Sequence, residues 1–325
     1  MTGAAPAPRG AEPHTAAFSP EHPDLLLDLV TPPGPPPSAG WPVIVWLHGG
    51  GWRLQDRTAR PDFDAHFAAR GFAMASIDYR LAPRWRHPAQ VCDLRRALRW
   101  LRAQAGRLRL DPARIGLWGS SAGGHVAAFT ALSAAAPRAG AQQCPAQDDP
   151  ADTSVACAVV GYPPSLIDEL LGPWAPGRPH QRTSPEEDLL GGPATSAAEH
   201  AALLQRGRLA SPARLEPQRR PPPFFILHGT ADALVPPEQS RALHEHLAAA
   251  GGHSLLYLVE GFGHGFLNPG TVEELGPGIR LDNGRLAAEP EAEFRAERRG
   301  GFDPQGRPAS FELIGDFFAH HLQRA

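Results

Sequence analysis

The stretch Arg114-Ile115-Gly116-Leu117-Trp118-Gly119-Ser120-Ser121-Ala122-Gly123-Gly124-His125 constrains the fold more than any other part of the chain. A short apolar run, Ile115 to Trp118, meets Gly119-x-Ser121-x-Gly123 and then a small-residue segment, Val126 to Ala136, that predicts a helix. Strand, sharp turn and helix in that order hold a serine in a strained turn, its hydroxyl exposed at the carboxyl end of a sheet. Glycine is needed two residues either side, because any side chain there would collide inside so tight a turn. Ser121 alone has that spacing; Ser120 is flanked by Trp118 and Ala122. The same pattern also falls by chance in loops of a chain with 34 glycines, so its weight depends on what the rest of the chain supplies.

Upstream, Leu25 to Val30 predicts a short strand, and Val43-Ile44-Val45-Trp46-Leu47 a central strand buried on both faces. The latter runs into His48-Gly49-Gly50-Gly51-Trp52. Bare backbone straight after a buried strand suits a loop that offers N–H groups to a developing oxyanion. A helix over Arg60 to Arg70 and a strand over Phe72 to Tyr79 follow. From Pro88 to Ala105, Val91, Leu94, Leu98, Leu101 and Ala105 recur at helical spacing, with Arg96 and Arg99 on a solvated face. Further strands are expected at Val155 to Tyr162, Phe224 to Leu227 and Ser254 to Val259, and helices at Pro237 to Ala250 and Phe311 to Leu322. This alternation implies parallel βαβ units, hence an α/β fold with a mostly parallel central sheet and helices on both faces.

Two stretches interrupt it. Residues 163–215 read as an insertion over the carboxyl ends of the strands, where Trp174 and Leu170–Leu171 either line a pocket or pack the insertion onto the body. Residues 137–153 read as a surface loop. The expected organisation is a flexible, Ala/Pro-rich segment over 1–23 and a single domain over 24–325, with insertions at about 163–215 and 268–309.

The formal charge of −3 leaves no electrostatic footprint for nucleic acid. All 31 basic residues are arginine, which reads as coding bias. Cys92, Cys144 and Cys157 show no C-x-x-C spacing, so neither a disulfide framework nor a metal site is expected; a Cys144–Cys157 bridge is left open. Without a basic leader followed by an apolar core, and without an 18-residue apolar run, the expectation is a soluble cytoplasmic protein with no membrane partner.

A serine hydroxyl is a weak nucleophile and needs a base, which needs an orienting acid. In this strand–turn–helix setting they follow in the order serine, acid, histidine. Of the histidines after Ser121, His244, His246, His320 and His321 fall in helices and His253 opens a strand. His264 occupies a glycine-flanked loop at a strand end, in Glu260-Gly261-Phe262-Gly263-His264-Gly265-Phe266. Asp232 follows a buried strand, one strand–helix–strand before His264, in a position where it also suits turn formation before Val235-Pro236. Asp168, Asp188 and Glu260 are weaker candidates.

Taken together, His48-Gly49-Gly50-Gly51-Trp52, Asp78-Tyr79-Arg80-Leu81-Ala82-Pro83, the Ser121 segment, His228-Gly229-Thr230-Ala231-Asp232 and the His264 loop resemble the α/β-hydrolase serine esterases. The closest likeness is to the feruloyl/acetyl-xylan-esterase-like (BD-FAE-type) branch, near the hormone-sensitive-lipase-like carboxylesterases. It spans residues 24–267 and the final helix. The resemblance implies Ser121 as nucleophile, His264 as base, Asp232 as orienter, and Gly50, Gly51 and Ala122 as oxyanion donors. It implies hydrolysis of small or short-chain acyl esters through an acyl-enzyme, with a small-molecule ester as partner and no cofactor or metal. An amidase using the same triad and a non-catalytic binding protein on the same fold are the alternatives. Such proteins usually join the histidine to the last helix by a short link, whereas residues 268–309 here are long, charged and rich in Gly and Pro. They read as a loop leaving the body at the site mouth, either a surface excursion without a role or one whose apolar residues fold back as a rim or partner contact restricting access to small acyl groups.

Overall fold

The computed structural model describes residues 13–136, 144, 153–174, 183–269 and 281–323. Among them, nine strands form one sheet: β1 (His14–Ala17), β2 (Leu26–Val30), β3 (Trp41–Leu47), β4 (Ala73–Ile77), β5 (Leu110–Ser120), β6 (Cys157–Gly161), β7 (Phe224–Gly229), β8 (Ser254–Val259) and β9 (Phe294–Arg299). Their order is β1-β2-β4-β3-β5-β6-β7-β8-β9. The six from β4 to β8 pair in parallel, and β1, β2 and β9 extend the sheet with antiparallel pairings. The helices are α1 (Phe63–His66), α2 (Ala89–Ala103), α3 (Ala105–Leu108), α4 (Ala122–Ala135), α5 (Ile167–Leu170), α6 (Pro185–Leu190), α7 (Ala197–Leu209), α8 (Glu238–Ala249), α9 (Arg285–Ala288) and α10 (Phe311–Leu322).

The continuous apolar runs follow from covering the sheet on both sides. In β3, Val43, Val45 and Leu47 join the core under α2, α4 and α8, while Ile44 and Trp46 join the core under α1 and α10. Burial of side chains of this size contributes about 1.5–3 kcal/mol each. Helix α4 is apolar all round and buried along almost its whole length, so it is the helix on which the middle of the sheet rests. It starts at Ala122, earlier than the apolar pattern indicates, because Gly123 and Gly124 belong to it.

Several expectations need correction. Part of the flexible segment expected over 1–23 is ordered: His14–Ala17 pairs antiparallel with β2, and Thr15 Oγ1 donates to Asp28 at 2.7 Å. The strand was invisible in the sequence because its side chains are mostly exposed and backbone pairing holds it. The helix expected over 60–70 is two short pieces, α1 and a 3₁₀ turn at Ala68–Arg70, closed by Gly71 at φ +86°. The arginines of α2 are not simply solvated. Arg96 pairs with Asp93 and Glu21, both at 2.9 Å, and Arg95 is buried with Nη2 donating to Ser133 Oγ at 2.8 Å.

The open Cys144–Cys157 pairing is replaced by a Cys92–Cys144 disulfide, with Cys157 a free buried thiol. The physical reason is topological. Cys92 and Cys144 lie in the core on one face of the sheet and Cys157 points from β6 into the core on the other. The rest of the expected surface loop, apart from Cys144 and Thr153, lies outside the described residues. In the 163–215 insertion, Leu171 packs into the main core and Trp174 sits against His200 at 6.2 Å between rings, so Leu171 follows the packing alternative. Residues 268–309 were expected to be a loop, but among those described they contain α9 and β9. The β9 sequence Phe-Arg-Ala-Glu-Arg-Arg carries no apolar alternation because it is an exposed edge, where charge discourages further pairing.

Candidate active site

β5 ends at Ser120 and α4 begins at Ala122, leaving Ser121 alone in the turn with φ 54° and ψ −123°. An L-residue rarely occupies that region, and surrounding contacts must hold it there. The Ser121 N–H donates to Gly161 O at 2.9 Å, and its carbonyl accepts from the His125 N–H at 2.9 Å. A Cβ on Gly119 would stand 2.4 Å from Gly123 O, and one on Gly123 would stand 2.2 Å from Leu47 O. Both obstacles are backbone, so neither can give way cheaply, as the turn geometry requires.

The carboxyl ends of β7 and β8 bring the other two groups to Ser121. The Ser121 hydroxyl lies 2.8 Å from His264 Nε2, and His264 Nδ1 lies 2.7 Å from Asp232 Oδ2. Nδ1–H faces a carboxylate that can only accept, so Nε2 is left with its lone pair towards the serine. Asp232 also turns the chain, as its position suggested: Oδ1 accepts from the N–H groups of Leu234 and Val235, both at 2.9 Å. Burial by itself would raise the Asp232 carboxyl. Hydrogen bonds from His228 and His264 outweigh it and hold the group well below the usual carboxylate range. His228 is a second imidazole on this acid, with Nε2 at 3.3 Å from Oδ2 and also donating to Val235 O at 2.8 Å.

The glycine loop lies against the elbow. The ideal Cβ position of Gly49 is 3.5 Å from Ser121 Cβ, and Gly50 and Gly51 take φ +93° and +59°. Tyr79 holds the loop from below, its hydroxyl lying 2.8 Å from His48 O and 3.1 Å from Gly49 O, its ring stacked on His48 at 4.2 Å. Trp52 holds it from the far end, where Nε1–H donates to His125 Nδ1 at 3.1 Å. The N–H groups of Gly50, Gly51 and Ala122 have no acceptor among the described residues. Arg53, next along the loop, ties it to the insertion through Asp188 at 2.9 Å and Thr183 O at 3.2 Å.

All six residues singled out from the sequence therefore lie on four segments that converge at the carboxyl ends of β3, β5, β7 and β8. The weaker acids are engaged elsewhere: Asp168 with Arg214, Asp188 with Arg53, and Glu260 with Arg295. Sequence reasoning missed the supporting roles of Tyr79, His125, His228 and Asn268. Tyr79, His125 and His228 lie inside quoted motifs, which was the available signal; for Asn268, whose Oδ1 accepts from Ser120 Oγ at 3.3 Å, there was none. Among the described residues no group of three or more His, Cys, Asp or Glu side chains could hold a metal ion, and no helix is long and apolar enough to cross a membrane.

The chain is similar to Esterase LipC of Mycobacterium tuberculosis, 31% identical over 244 residues that make up 71% of this chain and 54% of LipC. It spans about half the length of the first curated relatives it matches. Among solved structures it is similar to Thermogutta terrifontis esterase 2 phosphonylated by sarin, at 29% identity and TM-score 0.62, covering 81% of this chain and 88% of that one. The propionate-bound structure of the thermophilic esterase Est2 from the same organism gives 28% identity and TM-score 0.62, covering 81% and 89%. With a mostly parallel sheet flanked by helices, the fold is that of the α/β-hydrolase esterases. The profile of the BD-FAE family matches residues 27–247, and the chain belongs to that family.

Proposed function

We propose that the chain is a serine carboxylic-ester hydrolase that acts through an acyl-enzyme on small or short-chain acyl esters. The observation that carries this reading is the unbroken series Ser121 Oγ, His264 Nε2, His264 Nδ1 and Asp232 Oδ2, with successive contacts of 2.8 and 2.7 Å. His264 takes the Ser121 proton as Oγ adds to the ester carbonyl. The oxyanion forms against the N–H groups of Gly50, Gly51 and Ala122. His264 then protonates the departing alcohol, and Asp232 keeps the imidazole in the tautomer that can do so. Water then gives a proton to His264 as its oxygen adds to the acyl carbon, the bond to Ser121 Oγ breaks, and His264 returns the proton to Oγ as the acid leaves.

The relatives' names support an ester substrate. Phosphonylation of the Thermogutta esterase by sarin fits an activated nucleophile on this fold, and its propionate complex fits a short acyl group. The Cys92–Cys144 disulfide favours an oxidising compartment over the cytoplasm expected from the sequence, because cytosolic thiol pools keep such pairs reduced.

A turnover panel tests the reading, with aryl esters from acetate to dodecanoate beside an aryl formamide. Fastest turnover among acetate to butyrate is expected. A preference for the formamide would move the chain to the amidases, and binding without turnover across the panel would make it a binding protein.

A further inference from the structure

Residues 282–286 lie along the His264 loop. The Asp282 N–H donates to His264 O at 2.7 Å, and Asp282 Oδ2 accepts from the Gly263 N–H at 2.6 Å. Arg285 Nη1 donates both to that carboxylate, at 2.8 Å, and to Gly261 O, at 2.7 Å. Its guanidinium lies 4.1 Å from the centroid of the Phe262 ring. Beyond the histidine, the Gly284 N–H donates to Asn268 O at 2.7 Å and the Leu286 N–H to Phe266 O at 3.3 Å. Residues on both sides of His264 are thus gripped by one short stretch, 282–286, while the imidazole itself meets Ser121 and Asp232 and packs against the Tyr162 ring at 4.5 Å.

A histidine on a loop needs its backbone fixed for its ring to meet a serine and an acid at once. Glycines 261, 263 and 265 flank His264 and give the loop little stiffness of its own. Fixing it from outside is therefore a requirement of the site, and 282–286 is placed to meet it. We propose that Asp282 and Arg285 form a strap that positions His264, with Asp282 as the positioning residue and Arg285 as its lock. The inference rests on the reading of His264 as the base. It also assigns part of 268–309 a role different from a rim that screens acyl groups: the strap touches the histidine's backbone and acts on rate, not on substrate fit.

The test uses the full chain and the variants Asp282→Ala, Asp282→Asn and Arg285→Gln. Three quantities are read for each: kcat and KM on an aryl acetate, the rate constant for fluorophosphonate labelling, and the labelled fraction at the end point. A misplaced general base slows both acylation and labelling, and displacements of an ångström cost up to about 100-fold. The expected result for Asp282→Ala is therefore a fall of about 10- to 100-fold in kcat and in labelling rate, with KM changed by less than about twofold and an undiminished end point. Asp282→Asn keeps an oxygen for the Gly263 N–H and should recover part of the rate. Arg285→Gln should fall between it and Asp282→Ala. Wild-type kcat in folded Asp282→Ala and Arg285→Gln overturns the strap. So does a lower labelled fraction with an unchanged rate per labelled site, which marks a role in folding only, and so does a change confined to KM. If Asp282→Ala does not fold, the other two variants decide by the same criteria. Failure of the underlying reading is a separate result, seen when His264→Ala keeps the wild-type turnover.

Discussion

Lowering the pH through the histidine range should destabilise this protein, because two buried imidazoles at the site are held neutral. Burial pushes His48 down from 6.5 to about 4 and His125 from 6.5 to about 3. The His125 geometry shows why a second proton has no place. Nε2–H donates to Ala210 O at 2.8 Å, and Nδ1 is already occupied as acceptor by Trp52 Nε1–H at 3.1 Å. A proton on Nδ1 would face another N–H. For histidines whose folded pKa is depressed, the unfolded chain binds more protons, so stability falls as pH drops below the unfolded value and levels off below the folded one. The window therefore runs from 6.5 down to about 4 for His48 and about 3 for His125. At pH 5 each unfolded imidazole is almost fully protonated and each folded one almost fully neutral. Each then contributes about 2 kcal/mol of destabilisation relative to pH 8, about 4 kcal/mol together. A native domain holds only about 5–15 kcal/mol, so the loss is large. Urea unfolding at pH 8, 6.5 and 5, followed by tryptophan fluorescence, measures it. The slope should lessen when His125 is replaced by Gln, whose stability does not depend on pH in this window. A stability flat from pH 8 to 5, or a wild-type slope in His125→Gln together with His48→Asn, would refute the reasoning.

Two substitutions examine the site's geometry. In Asp232→Asn the Oδ1 bonds to Leu234 and Val235 can persist, but the amide N–H₂ faces His264 and forces the proton onto Nε2; kcat should drop by about 10⁴-fold in a folded protein. Gly123→Ala puts a methyl 2.2 Å from Leu47 O and 2.4 Å from His48 O, which pushes the glycine loop away from Ser121. It should cost about 1–3 kcal/mol of stability and about 100-fold in kcat/KM. Gly106→Ala, where a Cβ meets nothing within 4 Å, should leave kinetics unchanged and serves as its control.

The features legible in the sequence were those in which the backbone itself is the constraint. Gly119 and Gly123 announced the elbow because carbonyl oxygens stand where their side chains would be, and β3 and β7 announced themselves because both faces are covered. His264 could be separated from five other histidines by its place at a strand end. What stayed hidden depends on neighbours distant in sequence. Cys92 and Cys144 pair because α2 and residue 144 share one face of the sheet, a fact no spacing carries. β9 was hidden because an exposed edge strand selects charge over alternation. The grip of Asp282 on Gly263 and His264 had no signal, since an acid in a Gly/Pro-rich stretch reads as solvated until the loop beside it is known.

The central claim is that Ser121 is the nucleophile, and one measurement addresses it most directly. The protein is treated with a fluorophosphonate, digested, and the modified peptide sequenced by mass spectrometry, with Ser121→Ala run in parallel on an aryl acetate. The account predicts a single adduct on Ser121, no adduct in the variant, and a loss of kcat of up to about 10⁶-fold. An adduct on Ser120 or elsewhere, or a Ser121→Ala protein that still turns over ester at the wild-type rate, would contradict it.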